Sequence, residues 1–259
     1  KVVYMKVVAI VQARMGSTRL LGKVLKEVAG KPMLEHVISR LKQAKTLDEI
    51  MVATSVNERD EPIIELSKRL GIDCFIGSEE DVLDRFFKAA EQARADTIVR
   101  VTADCPLIDP YIVDHIVSYH FRENLDCTRN LIDEANPKSF PRGLDTEVFN
   151  MDVLKRCYEL AKKTYHREHV TPFVYEHPEL FKLAVLEAPE NYRRPNYRLT
   201  VDTRDDLQLI REIYRQLYVR GEIINMKSVI ELLDKHPELP RINAHVQQKK
   251  LKRLPAIDL

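Results

Sequence analysis

The segment VVAIVQARMGSTRLLGK, residues 7–23, joins a short apolar run to a basic stretch rich in turn-forming residues. The β-branched run Val7–Val11 is typical of a strand buried within a parallel sheet. The stretch that follows carries three cationic side chains: Arg14, Arg19 and Lys23. Because ligands of open parallel sheets bind beyond the carboxyl ends of the strands, we expect a binding site at this loop.

Strand-like and helix-like patterns alternate over the residues that follow. Apolar residues recur with helical spacing at Leu34, Val37, Ile38 and Leu41. Apolar strand patterns return at 49–53, 74–76 and 97–102, with helical patterns between them. Asp109 and Pro110 then predict the start of another helix, with Asp109 as its N-cap. This alternation predicts a three-layer α/β/α fold, in which helices cover both faces of a mostly parallel sheet.

The alternation weakens beyond Asn124. A strand is expected at Thr146–Phe149 and a helix from Met151, but the pattern is otherwise irregular. We expect residues 124–195 to cover or extend the sheet and to determine substrate selectivity, because loops on a rigid scaffold often carry specificity.

Regular patterns return near the C-terminus, with a strand predicted at Tyr197–Val201 and a last helix near Met226–Leu233. The sequence thus predicts a single domain within residues 1–240. The remaining tail, 241–259, holds five basic residues and one acidic residue and shows little apolar periodicity. We expect this tail to be a loosely held arm or a strand that docks on a partner.

The overall composition excludes several classes of protein. The 41 Lys and Arg residues against 40 Asp and Glu residues give a net charge of +1, which argues against a general nucleic-acid binder. The apolar run near the N-terminus is too short to span a membrane. Four cysteines are scattered along the chain: Cys74, Cys105, Cys127 and Cys157. Their spacing predicts neither a zinc site nor a disulfide framework, and it favours the reducing cytoplasm.

Positive charge is concentrated around the first loop. Residues 1–50 hold ten Lys and Arg residues but only four Asp and Glu residues. Gly16 and Gly22 can let backbone amides approach an anion closely. Together with the cations of the loop, they predict a cradle for a polyphosphate, although a solvated basic loop is the alternative. The loop is not a Walker A motif, because five residues separate the glycines and Val24 follows Lys23.

Residues 13–23, ARMGSTRLLGK, resemble the signature of the cytidylyltransferases that activate acidic sugars, the family of the CMP-KDO and CMP-sialate synthetases. The resemblance is closest to the branch named for spore-coat polysaccharide biosynthesis. Five further segments are similar to that branch: GSEEDVLDR at 77–85, VTADCPL at 101–107, GLDTEVF at 143–149, REHVTP at 167–172 and LTVDT at 199–203.

The resemblance implies a nucleotide-diphospho-sugar transferase-like fold and a Mg²⁺-dependent enzyme. Such an enzyme transfers CMP from CTP to a sugar acid and releases pyrophosphate, in polysaccharide or glycoconjugate biosynthesis. The resemblance also implies a homodimer, formed through the region 124–195. It assigns the nucleotide contacts to eight residues: Ala13, Arg14, Gly16, Ser17, Arg19, Lys23, Ser78 and Arg85. It gives catalytic roles to Arg14, Lys23, Asp104 and Asp202.

The Mg²⁺ ligands of the family map to Asp104 and Asp202. Both aspartates directly follow strand-like runs, so both are expected at the carboxyl edge that carries the basic loop. Carboxylate oxygens are the protein ligands that Mg²⁺ takes, while phosphates and water complete its shell. The alternative for Asp202 is an ion pair with a neighbouring Arg. For Asp205 and Asp206 we favour helix capping.

The acceptor contacts implied by the resemblance are Asp145, Glu147, Arg167 and His169. Asp145 and Glu147 share one face of a strand, where they either bind sugar hydroxyls or line a solvated side. Ser78 begins a Ser-x-x-Asp pattern and has a helix-capping role as its alternative. The alternative for Asp84 and Arg85 is a solvated pair on a helix.

Two other functions compete with CMP transfer. A glycosyltransferase of related fold binds its metal through a DxD motif, which this chain lacks at Asp104-Cys105-Pro106. A non-catalytic nucleotide-binding protein would keep the phosphate cradle, but retention of both aspartates argues against it.

Overall fold

The computed structural model describes residues 4–130 and 139–248. Its strands are β1 (Val7–Gln12), β2 (Glu27–Val28), β3 (Lys31–Pro32), β4 (Glu49–Ser55), β5 (Asp73–Gly77), β6 (Thr97–Thr102), β7 (Cys127–Arg129), β8 (Glu147–Asn150) and β9 (Leu183–Val185). Its α-helices are α1 (Met33–Leu41), α2 (Glu61–Arg69), α3 (Val82–Ala93), α4 (Pro110–Arg122), α5 (Met151–Leu160), α6 (Thr164–His169), α7 (Pro172–Glu176), α8 (Arg204–Leu217), α9 (Met226–Lys235) and α10 (Glu238–Arg241). No helix within these ranges is long and apolar enough to cross a bilayer.

The central sheet has seven strands in the order β5-β4-β1-β6-β8-β7-β9. Strands β5, β4, β1 and β6 are parallel, whereas β8 runs antiparallel to both of its neighbours. Gln12 at the end of β1 lies opposite Thr102 at the end of β6. The loops that leave these two central strands therefore start side by side at one edge of the sheet. The predicted three-layer α/β fold with a mostly parallel sheet is confirmed.

Strand β1 is buried on both faces, as its uninterrupted apolar run predicts. Val8 and Ile10 pack in the cluster that contains Phe86 of α3, whereas Ala9 and Val11 pack on the opposite face with Val37 of α1. A third cluster joins α8 and α9 to the segment before Asp202. These apolar layers hold the two central strands in the middle of the molecule.

Two helix starts follow the predicted capping chemistry. The Asp109 carboxylate accepts hydrogen bonds from the backbone N–H groups of Tyr111 and Ile112, at 2.8 and 3.2 Å, and Pro110 is the first residue of α4. Thr203 and Asp206 form a reciprocal capping box at the start of α8. The capping role expected for Asp206 is therefore confirmed.

The strand predicted at Tyr197–Val201 is wrong. This segment makes only an isolated bridge, in which Arg198 pairs with Arg142, and it joins no ladder of the central sheet. The physical reason is that β8 already occupies the free edge of β6. The segment stays extended, and its Val201 N–H donates to the Asp104 carbonyl at 2.8 Å.

The helix start predicted at Ser78 also differs. The N-cap of α3 is Asp81, whose side chain accepts from the Asp84 N–H at 2.9 Å. Ser78 lies earlier, and its Oγ accepts from the Asp81 N–H at 3.0 Å. Ser78 therefore supports the turn before the helix and is not itself the cap. A serine whose Oγ accepts from the N–H three residues later gives the same sequence pattern whether it caps a helix or only closes the turn before one.

Candidate active site

The basic loop after β1 is shaped by its own backbone. The N–H groups of Ser17 and Gly22 both donate to the Met15 carbonyl, at 2.9 and 3.1 Å, which closes the loop on itself. Gly22 has φ +63°, a left-handed conformation that glycine adopts without strain. The Met15 N–H donates to the buried carboxylate of Asp60 at 2.7 Å. Asp60, which no sequence motif indicated, thus holds the loop through the Met15 N–H.

Lys23 lies between the two aspartates predicted as metal ligands. Its Nζ is 2.6 Å from Asp104 Oδ2 and 2.8 Å from Asp202 Oδ1. Burial favours the neutral amine, but the two carboxylates outweigh it, so the pKa of Lys23 is raised. The structure therefore brings together residues from three distant parts of the chain at one edge of the sheet.

Asp202 is the most heavily paired acid of this cluster. Its Oδ2 is 2.7 Å from Arg19 Nη2 and 2.6 Å from Arg198 Nη2. Burial opposes ionisation, but Lys23, Arg19 and Arg198 together lower the pKa of Asp202. The ion pair with a neighbouring arginine, which was the alternative role for Asp202, is thus formed with Arg198.

The approach of Asp202 to Asp104 depends on the turn at Gly143. This residue has φ +104°, and a Cβ there would lie 2.5 Å from the backbone C of Leu199 and the N of Thr200. The hydrogen bonds from Arg142 N–H to Tyr197 O and from Leu199 N–H to Arg142 O, at 2.9 and 2.7 Å, complete the contact. The segment that ends at Asp202 is therefore held by the turn at Gly143 and not by pairing with a strand of the central sheet.

The donor set of Asp104 and Asp202 fits a magnesium ion. Lys23 Nζ lies within 2.8 Å of a carboxylate oxygen of Asp104 and of Asp202. The two carboxylates are therefore close enough together to hold a cation between them. Within the described ranges, no group of three or more His, Cys, Asp or Glu side chains could hold a metal. A two-carboxylate set suits Mg²⁺, which keeps several coordination positions for phosphate oxygens and water.

An open cavity of about 350 Å³ lies over this cluster. Its volume falls in the usual range of small-molecule sites, about 300–1,000 Å³. Predicted residues of the loop and both aspartates line it: Arg14, Gly16, Ser17, Arg19, Lys23, Asp104 and Asp202. Gln12 and Glu168 also line it and were not predicted. Glu168 lies between the predicted residues Arg167 and His169, so the REHVTP segment could have indicated it as well.

Other predicted nucleotide residues lie outside this lining. Ala13 is buried, and its N–H donates to the Ala53 carbonyl at 3.2 Å. Arg85 has no exposed surface, which rules out the alternative of a solvated residue on a helix. Its Nη1 donates to the Ser78 carbonyl at 2.7 Å, whereas Nε and Nη2 have no hydrogen-bond partner among the described residues. Burial and the nearby Arg14 lower the pKa of Arg85 to about 10.

Two of the predicted acceptor residues are committed to contacts within the protein. Glu147 is 1% exposed and accepts hydrogen bonds from Arg100 at 2.6 Å, Thr171 at 2.9 Å and the Tyr175 hydroxyl, so its expected alternative on a solvated face is wrong. The neighbouring strands β6 and β7 both place a residue beside Glu147, which encloses it. Arg167 makes a two-point ion pair with Asp81, with Nε–Oδ1 at 3.0 Å and Nη2–Oδ2 at 2.6 Å.

The remaining two, Asp145 and His169, are only partly buried. Burial raises the pKa of Asp145 to about 6, against the opposing effect of Arg142. Burial also lowers the pKa of His169; Glu168 opposes this shift, whereas Arg100 and Arg14 add to it. The imidazole of His169 is therefore neutral at any pH above the ordinary pKa of histidine, and it lies on the side of the site where Arg14 and Arg100 are found.

Comparisons with known proteins identify the family. A profile of the cytidylyltransferase family matches residues 8–228. The chain is 42% identical over 254 residues to an uncharacterised protein of Methanocaldococcus jannaschii, covering 96% of this chain and 99% of that protein. It is 36% identical over 234 residues to the spore coat polysaccharide biosynthesis protein SpsF of Bacillus subtilis, covering 88% and 94% of the two chains.

Two further matches carry the name of the activity. The 3-deoxy-manno-octulosonate cytidylyltransferase of Geobacter metallireducens is 38% identical over 116 residues, which is 44% of each chain. The solved structure of a cytidylyltransferase from Leptospira borgpetersenii superposes with a TM-score of 0.84 at 31% identity, covering 95% of this chain and 100% of that one. Since the family profile spans most of the sequence and relatives above 30% identity align over nearly their whole length, the chain belongs to the cytidylyltransferase family.

Proposed function

We propose that the protein transfers CMP from CTP to a hydroxyl group of a sugar acid and releases pyrophosphate. One observation carries the proposal: Arg19 and Lys23 of the basic loop meet Asp104 and Asp202 in one cluster at the carboxyl edge of the sheet. The family supports CTP as the nucleotide. The name of the octulosonate relative supports an acidic sugar as the acceptor, and the name of the spore-coat relative supports a role in polysaccharide biosynthesis.

The reaction is an in-line displacement at the α-phosphorus of CTP. The acceptor hydroxyl oxygen forms a bond to this phosphorus as the bond to the bridging oxygen of the β-phosphate breaks. The hydroxyl proton passes to water, and pyrophosphate leaves with its negative charge. Such a transfer requires mainly positioning and charge stabilisation from the protein.

The cations of the loop are placed for that task. Arg14, Arg19 and Lys23 line the same cavity as the two aspartates. In this structure Lys23 and Arg19 neutralise the aspartates, and with a divalent cation bound there both side chains can pair with the triphosphate instead. Guanidinium groups and an ammonium group then offset the charge of the leaving pyrophosphate. Magnesium bound by Asp104 and Asp202 would polarise the α-phosphate and help to orient it.

The nucleotide base is proposed to lie toward Arg85. Arg85 lies near Arg14, and its guanidinium nitrogens Nε and Nη2 have no hydrogen-bond partner within residues 4–130 and 139–248. Carbonyl and ring-nitrogen acceptors of cytosine match such donors, and buried N–H groups that lack an acceptor gain most from a ligand that supplies one. Ser78, whose carbonyl accepts from Arg85, would hold this side chain in place.

The acceptor is proposed to bind near Glu168 and His169. Glu168 lines the cavity, and the neutral imidazole of His169 can donate or accept a hydrogen bond to a sugar hydroxyl. Arg167 and Glu147, both paired within the protein, would position this part of the site. The homodimer and the cytoplasmic location stay predictions from the resemblance and the composition.

A panel experiment tests the proposed function. Each of the four ribonucleoside triphosphates is incubated with Mg²⁺ and a panel of acidic sugars, and pyrophosphate release is measured. We expect release with CTP in the presence of at least one sugar acid. Transfer of sugar from nucleotide-sugar donors without pyrophosphate release would favour a glycosyltransferase. Tight CTP binding without product for any acceptor would favour a nucleotide-binding protein.

A further inference from the structure

The segment that follows α10 lies against the active-site cluster. Asn243 is 1% exposed, and its Nδ2 donates to the Arg198 carbonyl at 2.9 Å and to Asp206 Oδ1 at 2.8 Å. His245 pairs with Asp205 at 3.0 Å. Residues 243–248 are therefore packed on the domain, and this part of the tail is not the loose arm that its composition suggested. Residues 249–259 lie outside the described ranges.

Two glutamines at the end of this segment touch the arginines that hold Asp202. Gln248 Oε1 accepts a hydrogen bond from Arg198 Nη1 at 2.8 Å. The Gln247 carbonyl accepts from Arg19 Nη1 at 3.4 Å, a longer and weaker contact. Both arginines that pair with Asp202 thus have a second partner in the C-terminal segment.

Arg198 is fixed by three contacts, one for each guanidinium nitrogen. Nε donates to Asp206 at 2.9 Å, Nη2 donates to Asp202 at 2.6 Å, and Nη1 donates to Gln248. A planar guanidinium with all three nitrogens engaged has one orientation, so each partner restrains the other two contacts. Asp206 is itself fixed by the capping box of α8. Gln248 is the partner that comes from outside this helix start.

We propose that Gln248 is a positioning residue of the active site, which acts through Arg198 on Asp202, and that Asn243 anchors the segment that presents it. The inference rests on the proposed function, because it takes Asp202 to hold the metal of the bound Mg·CTP. It adds to that function a part of the site that is 46 residues beyond Asp202 in the sequence. Without Gln248, Arg198 can rotate and draw the Asp202 carboxylate away from Asp104.

The test compares the wild-type chain of 259 residues with Gln248→Ala. Affinity for CTP at saturating Mg²⁺ is measured by calorimetry, and KM and kcat are measured by pyrophosphate release. Loss of one charge-assisted hydrogen bond is expected to weaken Mg·CTP binding by about threefold to tenfold. The KM for the acceptor sugar should stay unchanged. Because Gln248 is exposed, the unfolding midpoint should also stay unchanged.

Two matched variants sharpen the test. Gln247→Ala removes the neighbouring exposed glutamine side chain but keeps the carbonyl that faces Arg19, so its affinity for Mg·CTP should equal that of the wild type. Gln248→Glu keeps an acceptor oxygen for Arg198 and should restore affinity. Equal affinity in Gln248→Ala and the wild type, or equal losses in both alanine variants, would overturn the inference. A wild-type protein that neither binds nor turns over CTP would instead overturn the proposed function.

Discussion

At the scale of single residues, Asp104 and Asp202 have different surroundings. Among the residues that the structure describes, Asp104 has one cationic partner, Lys23, whereas Asp202 has Lys23, Arg19 and Arg198. Their side chains are 22% and 12% exposed, respectively. Removal of the Asp202 charge therefore leaves more uncompensated positive charge in a more buried place. The two acids should contribute equally to the reaction but unequally to the fold.

Asparagine variants separate these contributions. Asp104→Asn is expected to lower kcat by about 100-fold or more, since the proposed metal ligand is lost, with little change in stability. Asp202→Asn should lower kcat similarly and also reduce the free energy of unfolding by about 2–3 kcal/mol. Pyrophosphate release and denaturant unfolding measure the two effects. Equal stability of both variants would contradict the assignment of Asp202 as the centre of the charge cluster.

Asp145 provides a pH-dependent test at the same scale. Burial raises the pKa of its carboxyl from 3.8 to about 6, so the folded state retains a proton that the unfolded state has lost. The carboxyl therefore destabilises the fold progressively as the pH rises from about 4 to about 6, and the penalty is constant above that range.

Asp145→Asn removes this penalty. The variant should unfold at a higher temperature than the wild type at pH 7 to 8, and the difference should shrink as the pH falls toward 4. Thermal unfolding of both proteins across this range gives the comparison. A difference that is independent of pH would mean that Asp145 does not titrate abnormally in the fold.

At the scale of elements, the turn at Gly143 is the key connection between the sheet and Asp202. A methyl group at this position meets the backbone of Leu199 and Thr200, and φ +104° is unfavourable for alanine. Gly143→Ala is thus expected to lower the free energy of unfolding by about 2–4 kcal/mol. It should also reduce kcat, because the segment that carries Asp202 must shift.

Gly71→Ala is the matched control for this prediction. Gly71 also has a positive φ, of +65°, but a Cβ there meets nothing within 4 Å. Gly71→Ala should lower the free energy of unfolding by only about 1 kcal/mol, which is the cost of a positive φ for alanine, and kcat should stay unchanged. Denaturant unfolding and pyrophosphate release are measured for both variants. Equal effects of the two substitutions would show that the close approach at Gly143 is not needed.

The elements also show what the sequence could predict. The apolar runs that became β1, β4 and β6 were recognisable because a strand buried on both faces has no polar alternation. The segment Tyr197–Val201 is also strand-like, since its apolar and polar residues alternate, yet it lies outside the sheet because β8 pairs with β6. Local pattern predicts extended backbone, but it does not predict which partner the backbone finds.

At the scale of the whole molecule, the site combines residues that local patterns cannot join. Lys23 and Asp202 are 179 positions apart, and Arg19 and Gln247 are 228 apart. The loop and the two aspartates were accessible from the sequence, because the loop follows β1 and the motifs resemble a known family. The burial of Glu147 and the contact between Arg198 and Gln248 were not, since each depends on side chains that only the tertiary fold brings together.

The central claim is that one edge of the sheet holds Mg·CTP for transfer of CMP to a sugar acid. The most direct measurement uses CTP labelled at the α-phosphate, with the sugar acid that the panel identifies, and follows the label in the products. We predict that the label appears in the sugar product, that unlabelled pyrophosphate is released in equal amount, and that Asp104→Asn loses both. Label retained in CTP under every condition, or full transfer by Asp104→Asn, would contradict this account.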